Sequence, residues 1–430
     1  MKVLWVCNLP NKFASEYKNQ QTSVYGGWLT GLSNSLSKSK DIELIYCYPS
    51  VGSKKLDTFK VNNVKYYSFY APKKLGIFNI DADVDNKLER KQINNILEIE
   101  KPDIVHIFGT EYIHSFMFAD EMIDKNKLVC SIQGLTSVYS RHYLSFIPSK
   151  KYHSFNFSSL FRKTLWGQKK ELEKRGKFEI KTIKLCKNII GRTNWDMACT
   201  YYINSSRKYF HCNETLRDSF YEHKWDYNSC KPFTIFISQG SSPIKGLNVL
   251  IEAISLLKRD YPNIELRIAG NNFIKKDNLI NILKISTYGD YIRKLIKKYS
   301  LEKNVVFLGS LDEKSMIKEY LRCNVFVSPS TIENSSNSVG EAMILGVPIV
   351  SSNVGGLASL MTDEIEGLFY QGDAPYMAAF KIDSVFKDKN KAMALGKNAR
   401  IRALNTHNKK KNNDDLLKIY KNIFEEVNNA

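Results

Sequence analysis

The stretch E-N-S-S-N-S-V-G-E carries a carboxylate at each end, Glu333 and Glu341, with small or polar side chains between them and an apolar run behind. NVFVSPS (324–330) reads as a strand and the residues from about Ser338 as a helix. The loop therefore leaves the carboxyl end of a strand, where open α/β sheets bind ligands. A helix start offers unpaired amides and the positive end of a dipole, and Asn337, Ser338 and Val339 are small enough to let an anion approach. Taken alone, Ser338-Val339-Gly340-Glu341 also reads as a capping box, with Glu341 turned back on the Ser338 amide. Glu333 has no place in such a box. Upstream, FTIFISQGSSPIKGLNVLIEAI (233–254) repeats the plan: a strand, a loop with Ser241 and Ser242, the pair Lys245-Gly246, then a helix. Two such loops, one with an ammonium, point to a site for a nucleotide diphosphate.

Loops of this kind need parallel strands to hold them. Short apolar runs at 2–7, 42–48, 64–70, 103–109, 127–133 and 188–192, then at 233–239, 264–270, 305–309, 324–330 and 347–352, alternate with stretches of helical period. Near-continuous apolar strands suit a parallel sheet buried on both faces. Two successive sets predict an α/β protein of two doubly wound, Rossmann-like domains facing across a cleft. We place the first at 1–225 and the second at 226–405, with the joint in the polar stretch Tyr221 to Lys231. An amphipathic C-terminal helix at 406–430 is expected to pack back on the first domain, and NKKKNNDD near 408–415 reads as a solvated loop or helix start.

Composition sets the outer limits. With 430 residues, 43% of them hydrophobic, the chain can build two cores, and a formal net charge of +19 favours anionic partners. The first residues lack a secretory leader and no apolar run approaches membrane-span length, which predicts a cytoplasmic protein. The eight cysteines are scattered without a C-x-x-C pair or a Cys/His cluster, so they read as reduced core thiols with no metal site. Residues 139–178 mix Tyr, Phe and Trp with Lys and Arg. They fit either a surface excursion or a basic, aromatic face for peripheral association with an anionic membrane.

Lys245-Gly246, then ELRIAG, NVVFLGSL, E-x7-E, GVPIVSSNVGG and EIEGLFY follow one another in an order that resembles the nucleotide-binding lobe of the retaining, GT-B-fold glycosyltransferases of family 4. The first half adds SVYGGWLTGLSNSL, DIVHIFGTEYIHS and IGRTNWDMACTYY, which resemble versions in transferases that assemble bacterial capsule, O-antigen or exopolysaccharide. The resemblance implies that Glu341 accepts hydrogen bonds from ribose hydroxyls and that Glu333 faces the donor sugar. It implies that Lys245, Ser241 and the amides of Asn337, Ser338 and Val339 hold the diphosphate, and that Gly26 and Gly27 admit donor phosphate or acceptor. His106 and Gln133 fall at strand ends assigned to the catalytic side. Gln133 stands where many members have His, and it cannot titrate. The loop before Lys245 lacks the Arg that many members carry, so Arg192 is a candidate for phosphate or acceptor contact, as is Glu214 for acceptor binding or hinge geometry.

The implied reaction is transfer of a sugar from a nucleotide-diphosphate sugar to a glycan hydroxyl, with a polyprenyl-diphosphate-linked acceptor, no cofactor, no metal and no nucleic acid. Alternatives are a nucleotide-sugar epimerase on the same fold and a degenerate carbohydrate- or anion-binding relative. A nicotinamide enzyme is disfavoured because G-x-G-x-x-G does not follow the first strand. His114, His142 and His153 carry no motif and are expected at the surface.

Overall fold

The computed structural model describes residues 1–20, 27–72, 86–154, 163–275 and 285–429. They form two compact units: Met1–Val138 with Leu172–Arg217 and His407–Ala430, and Tyr139–Glu171 with Asp218–Thr406.

In the first unit, strands β1 (Lys2–Val6), β2 (Glu43–Val51), β3 (Asp57–Val61), β4 (Val64–Ala71), β5 (Ile104–Phe108), β6 (Leu128–Ser131), β7 (Asn188–Gly191) and β8 (Lys208–His211) form one sheet. Its order is β3-β4-β2-β1-β5-β6-β7-β8, parallel except for the β3–β4 hairpin. Side chains alternate between faces along a strand. Val3 and Trp5 of β1 accordingly join one core and Leu4 and Val6 the other, which is why its sequence is apolar throughout. The helix Lys409–Asn428 closes the first core through Leu416, Ile419, Tyr420 and Ile423, an i, i+3, i+4, i+7 stripe.

The second unit holds β9 (Thr234–Ile237), β10 (Glu265–Ile268), β11 (Val305–Phe307), β12 (Val325–Ser328), β13 (Ile349–Ser352) and β14 (Leu368–Tyr370) in the order β11-β10-β9-β12-β13-β14, all parallel. Strand order reverses between β9 and β12, and in the first unit between β1 and β5. At each reversal the connections leave in opposite directions and open a crevice at the carboxyl ends of the strands.

Three strands escaped sequence reading. β3, β8 and β14 are only five, four and three residues long, and β3 and β8 are polar enough to look like loop. The expected joint also moves. Phe220 is fully buried, and Trp225 is nearly so, its indole donating to the Cys323 carbonyl at 2.8 Å and its amide to Leu345 O at 2.7 Å. These two aromatics bind a polar-looking stretch into the second unit, and the division falls after Arg217. Residues 139–171, expected in the first domain, likewise group with the second, where Tyr143, Leu144 and Ile147 are buried.

A polar chain crosses the first core. The Tyr420 hydroxyl accepts from Trp5 Nε1 at 3.0 Å and lies 2.5 Å from His106 Nδ1, and His106 Nε2 lies 2.7 Å from Ser131 Oγ. Tyr420→Phe strands the Trp5 N–H and one His106 nitrogen, and each orphaned buried group costs about 1–3 kcal/mol. A lowered urea midpoint with an unchanged slope is the expected result.

Candidate functional site

The β9/β12 reversal brings the two loops singled out by sequence into contact. After β9 the chain makes a single 3-10 turn, Pro243–Lys245, and Gly246 then opens the helix Leu247–Leu257 in the left-handed conformation at φ +62°. A Cβ on Gly246 would lie 1.8 Å from the Pro329 carbonyl oxygen, so only glycine allows the two backbones to touch here. The Thr331 amide donates to Ile244 O at 2.7 Å and locks the two loops together. Behind them, Gly355 (φ +55°) does the same for Glu333: a Cβ would lie 1.9 Å from the Glu333 carbonyl, which accepts from the Gly356 amide at 2.9 Å.

This clasp fixes the charged groups. Lys245 Nζ pairs with Glu333 Oε1, which also accepts from Ser330 Oγ at 2.8 Å. Glu333 is buried, whereas about a quarter of the Lys245 side chain stays exposed. The ammonium therefore keeps N–H directions free of Glu333, and the pair lies in a region where charges are poorly screened. Ser330, three residues before Glu333, is a neighbour of the candidate site that sequence reading passed over.

Residues 139–147 buttress the same loop. The Tyr139 hydroxyl accepts from the Asn334 amide at 3.0 Å and the His142 carbonyl from Thr331 Oγ1 at 3.0 Å. This part of the basic, aromatic segment is thus committed to packing, and His142 is only half exposed. Further along, Lys169 and Lys170 each lie 5.1 Å from the Trp166 ring centroid.

The helix after this loop is Asn337–Leu345, and its cap is Ser336, whose side chain makes no cap hydrogen bond. The capping box read at Ser338 and Glu341 is therefore not formed: the helix begins earlier, and Glu341 lies in its second turn. Ser336 leaves the first-turn amides of Asn337, Ser338 and Val339 uncovered by its side chain. Glu341, buried, follows Asn337 by four positions, and helical side chains lean toward the N-terminus. Its carboxylate consequently leans toward the open amides. Ser241 is exposed in the loop before Lys245.

The first-unit candidates divide differently. Gln133 Nε2 donates to Glu214 Oε1, and Arg192 Nη1 meets Glu214 Oε2 at 2.7 Å. Burial pushes the Glu214 carboxyl up, and Arg192 pulls it back. Arg192, expected as a phosphate contact, is instead buried and neutralised by Glu214, with its Nε lacking a partner. Arg192, Glu214 and His106 line a hollow with about 30 Å³ of water-sized space. That is room for about two waters and too little for a sugar.

His106 also departs from its expected role. It is fully buried with both ring nitrogens engaged, and loss of solvation holds its pKa down at about 3. A neutral imidazole sealed in the core serves the hydrogen-bonded chain described above. His114, expected at the surface, is buried as well, and its pKa is likewise about 3. Gly27 begins the helix Gly27–Leu36, and Gly26 lies outside the described residues. Among the described residues no group of three or more His, Cys, Asp or Glu is placed to hold a metal ion, and no helix is long and apolar enough to cross a membrane.

Comparison with known proteins bears on this site. Residues 220–402 match the family model "Glycosyl transferases group 1", a span that contains both loops, Lys245, Glu333 and Glu341. An uncharacterized glycosyltransferase, MJ1607, from Methanocaldococcus jannaschii is 31% identical over 145 residues, 34% of this chain and 33% of that protein. The chain spans about a quarter to a half of the length of the curated relatives it matches. Among solved structures, sucrose-phosphate synthase from Thermosynechococcus elongatus aligns over 99% of this chain and 100% of its own with a TM-score of 0.69 at 14% identity. HepE from Anabaena, solved with UDP-glucose, aligns over the whole of both chains at 0.64 and 13%. Identities this low speak to the fold, and the fold is that of the GT-B glycosyltransferases: two Rossmann-like α/β domains.

Two outcomes test this geometry. Gly246→Ala places a side chain on the Pro329 carbonyl at positive φ and should cost about 2 kcal/mol or more, read from denaturation midpoints. His106 titrates near 6.5 when unfolded and about 3 when folded, so the unfolded state binds the extra proton between these values. Its contribution is complete above 6.5 and is lost as pH falls toward 3. The stability of the wild type relative to His106→Asn should thus drop by about 1.4 kcal/mol per pH unit on acidification through that window.

Proposed function

We propose that this chain is a retaining, metal-independent glycosyltransferase that moves a sugar from a nucleotide-diphosphate sugar to a hydroxyl of a glycan acceptor. The observation that carries the reading is the Lys245–Glu333 pair, clasped beside the open helix start Asn337–Leu345 within the stretch that matches the glycosyltransferase family. Departure of a nucleoside diphosphate spreads negative charge over phosphate oxygens. An ammonium and oriented amides stabilise that charge more in the transition state than in the bound donor.

In this reading Glu341 accepts hydrogen bonds from the ribose hydroxyls, and Lys245 with the amides of Asn337, Ser338 and Val339 takes the diphosphate. Glu333 sets the position of Lys245 and faces the donor sugar. The C1–O bond to the diphosphate breaks while the acceptor oxygen bonds C1 on the same face, and the acceptor proton passes to the leaving phosphate. No protein base is needed for that proton. Uridine is the first base to test, because HepE, of like fold, was solved with UDP-glucose. We further propose a polyprenyl-diphosphate-linked acceptor in surface-polysaccharide assembly at the cytoplasmic face of a membrane. The net charge of +19 and the Lys and Trp cluster at 166–170 support it.

The test is a thermal-shift titration with UDP, GDP and their sugars, followed by a transfer assay. Lys245→Met should weaken nucleotide-diphosphate binding and transfer together. Glu333→Gln removes the carboxylate that competes for Lys245, so UDP binding should hold or tighten while transfer falls about 100-fold or more. A wild-type protein that binds no nucleotide sugar would overturn the assignment.

A further inference from the structure

The first unit has its own reversal of strand order, between β1 and β5, and the site described so far leaves its crevice unused. Asn8 follows β1, and Gly109, Thr110 and Glu111 follow β5. There the Glu111 carboxyl folds back over Gly109. A Cβ on Gly109, whose φ is +85°, would lie 2.2 Å from Glu111 Oε2 and 3.1 Å from Asn8 Nδ2. Glycine at this position is what lets the carboxyl and the amide converge.

The neighbours hold the carboxyl in place without neutralising it by a salt bridge. Asn8 Nδ2 lies 3.5 Å from Glu111 Oε2, and Asn8 Oδ1 lies 2.9 Å from His114 Nε2. Because an amide oxygen only accepts, His114 carries its proton on Nε2, and this turns the Asn8 amino group toward Glu111. Arg175, the nearby cation, donates through Nε to the Glu111 backbone carbonyl at 2.9 Å, and its guanidinium stacks 4.5 Å from the Tyr112 ring centroid. Glu179 is committed elsewhere, accepting from the Thr136 and Ser137 amides at 2.7 and 2.9 Å and from Thr110 Oγ1 at 3.4 Å. Burial pushes the Glu111 carboxyl up to about 7. The charge of Glu179 adds to that shift, and Arg175 and Asn8 oppose it. The residue as a whole is nevertheless only part-buried.

We propose that Glu111, oriented by Asn8 and His114 at the β1/β5 crevice, is a recognition residue for the hydroxyls of a sugar, and that this sugar belongs to the acceptor. Naming the acceptor rests on the glycosyltransferase reading; recognition of hydroxyls does not. An ionised carboxylate accepts from two neighbouring hydroxyls at once, and the Asn8 amino group donates to a third oxygen. A protonated Glu111 loses one of those acceptors, so binding should strengthen as pH rises through 7.

The test uses the full chain and a panel of methyl glycosides of glucose, galactose and N-acetylglucosamine, with binding followed by ligand-observed NMR between pH 6 and 8. The expected result is saturable binding of at least one glycoside by the wild type, tightening with pH. Glu111→Gln should weaken it about tenfold or more at pH 8 and flatten the pH dependence. UDP binding by thermal shift should stay unchanged. Asn8→Ala provides a second variant if Glu111→Gln does not fold, with weaker binding and the pH dependence retained. Binding by no member of the panel, or equal binding and an equal pH profile in Glu111→Gln, overturns the proposal. Loss of UDP binding in the wild type with glycoside binding intact would instead sink the glycosyltransferase reading and leave this site standing.

Discussion

The site in the second unit depends on one contact, the direct meeting of the loops after β9 and β12. Those strands are neighbours in the sheet, and their connections depart in opposite directions, so nothing in the topology itself keeps the two loops together. The work falls to backbone: Thr331 bonds Ile244, and Gly246 lies flat against Pro329. Lys245 and Glu333 are thereby held beside each other, the kind of preorganisation that the proposed transfer calls for.

The pair also accounts for a feature that looks uneconomical at first sight. The Lys245 ammonium, proposed to take phosphate, is already engaged by a carboxylate. Without that partner, a Lys on a half-buried loop would sample many rotamers and would lie in a poorly solvated position with an unbalanced charge. Glu333 holds it, Ser330 holds Glu333, and the first-turn amides of the Asn337–Leu345 helix, left uncovered by the Ser336 side chain, add positive potential.

The first unit shows the same logic with a different balance. Its buried polar groups are arranged in two sets. One is the chain Trp5, Tyr420, His106 and Ser131, which ties the C-terminal helix to the sheet. The other is the triad Gln133, Glu214 and Arg192, which satisfies a buried charge within the body. Both sets are nearly complete internally, and completed networks stabilise more readily than they bind. Glu111 differs because its carboxyl meets the Asn8 amide, while Arg175 bonds the Glu111 backbone carbonyl and not the carboxyl.

The sequence by itself determined most of the scaffold and the second-unit site. Apolar runs located eleven of the fourteen strands among the described residues, and the candidate loops with Lys245-Gly246, Glu333 and Glu341 stood out because a strand end, small residues and a helix start follow one another at short spacing. Tertiary structure alone decided the rest. The short strands β8 and β14 exist through parallel pairing with β7 and β13, and polar β3 through its hairpin with β4. Phe220 and Trp225 placed the joint by burial, not by local composition. His106 and His114 became core residues, and Arg192 an internal counter-charge, because burial and partners come from elements far along the chain. Local pattern records what a segment can be, but solvation and partnership are set only when distant segments meet.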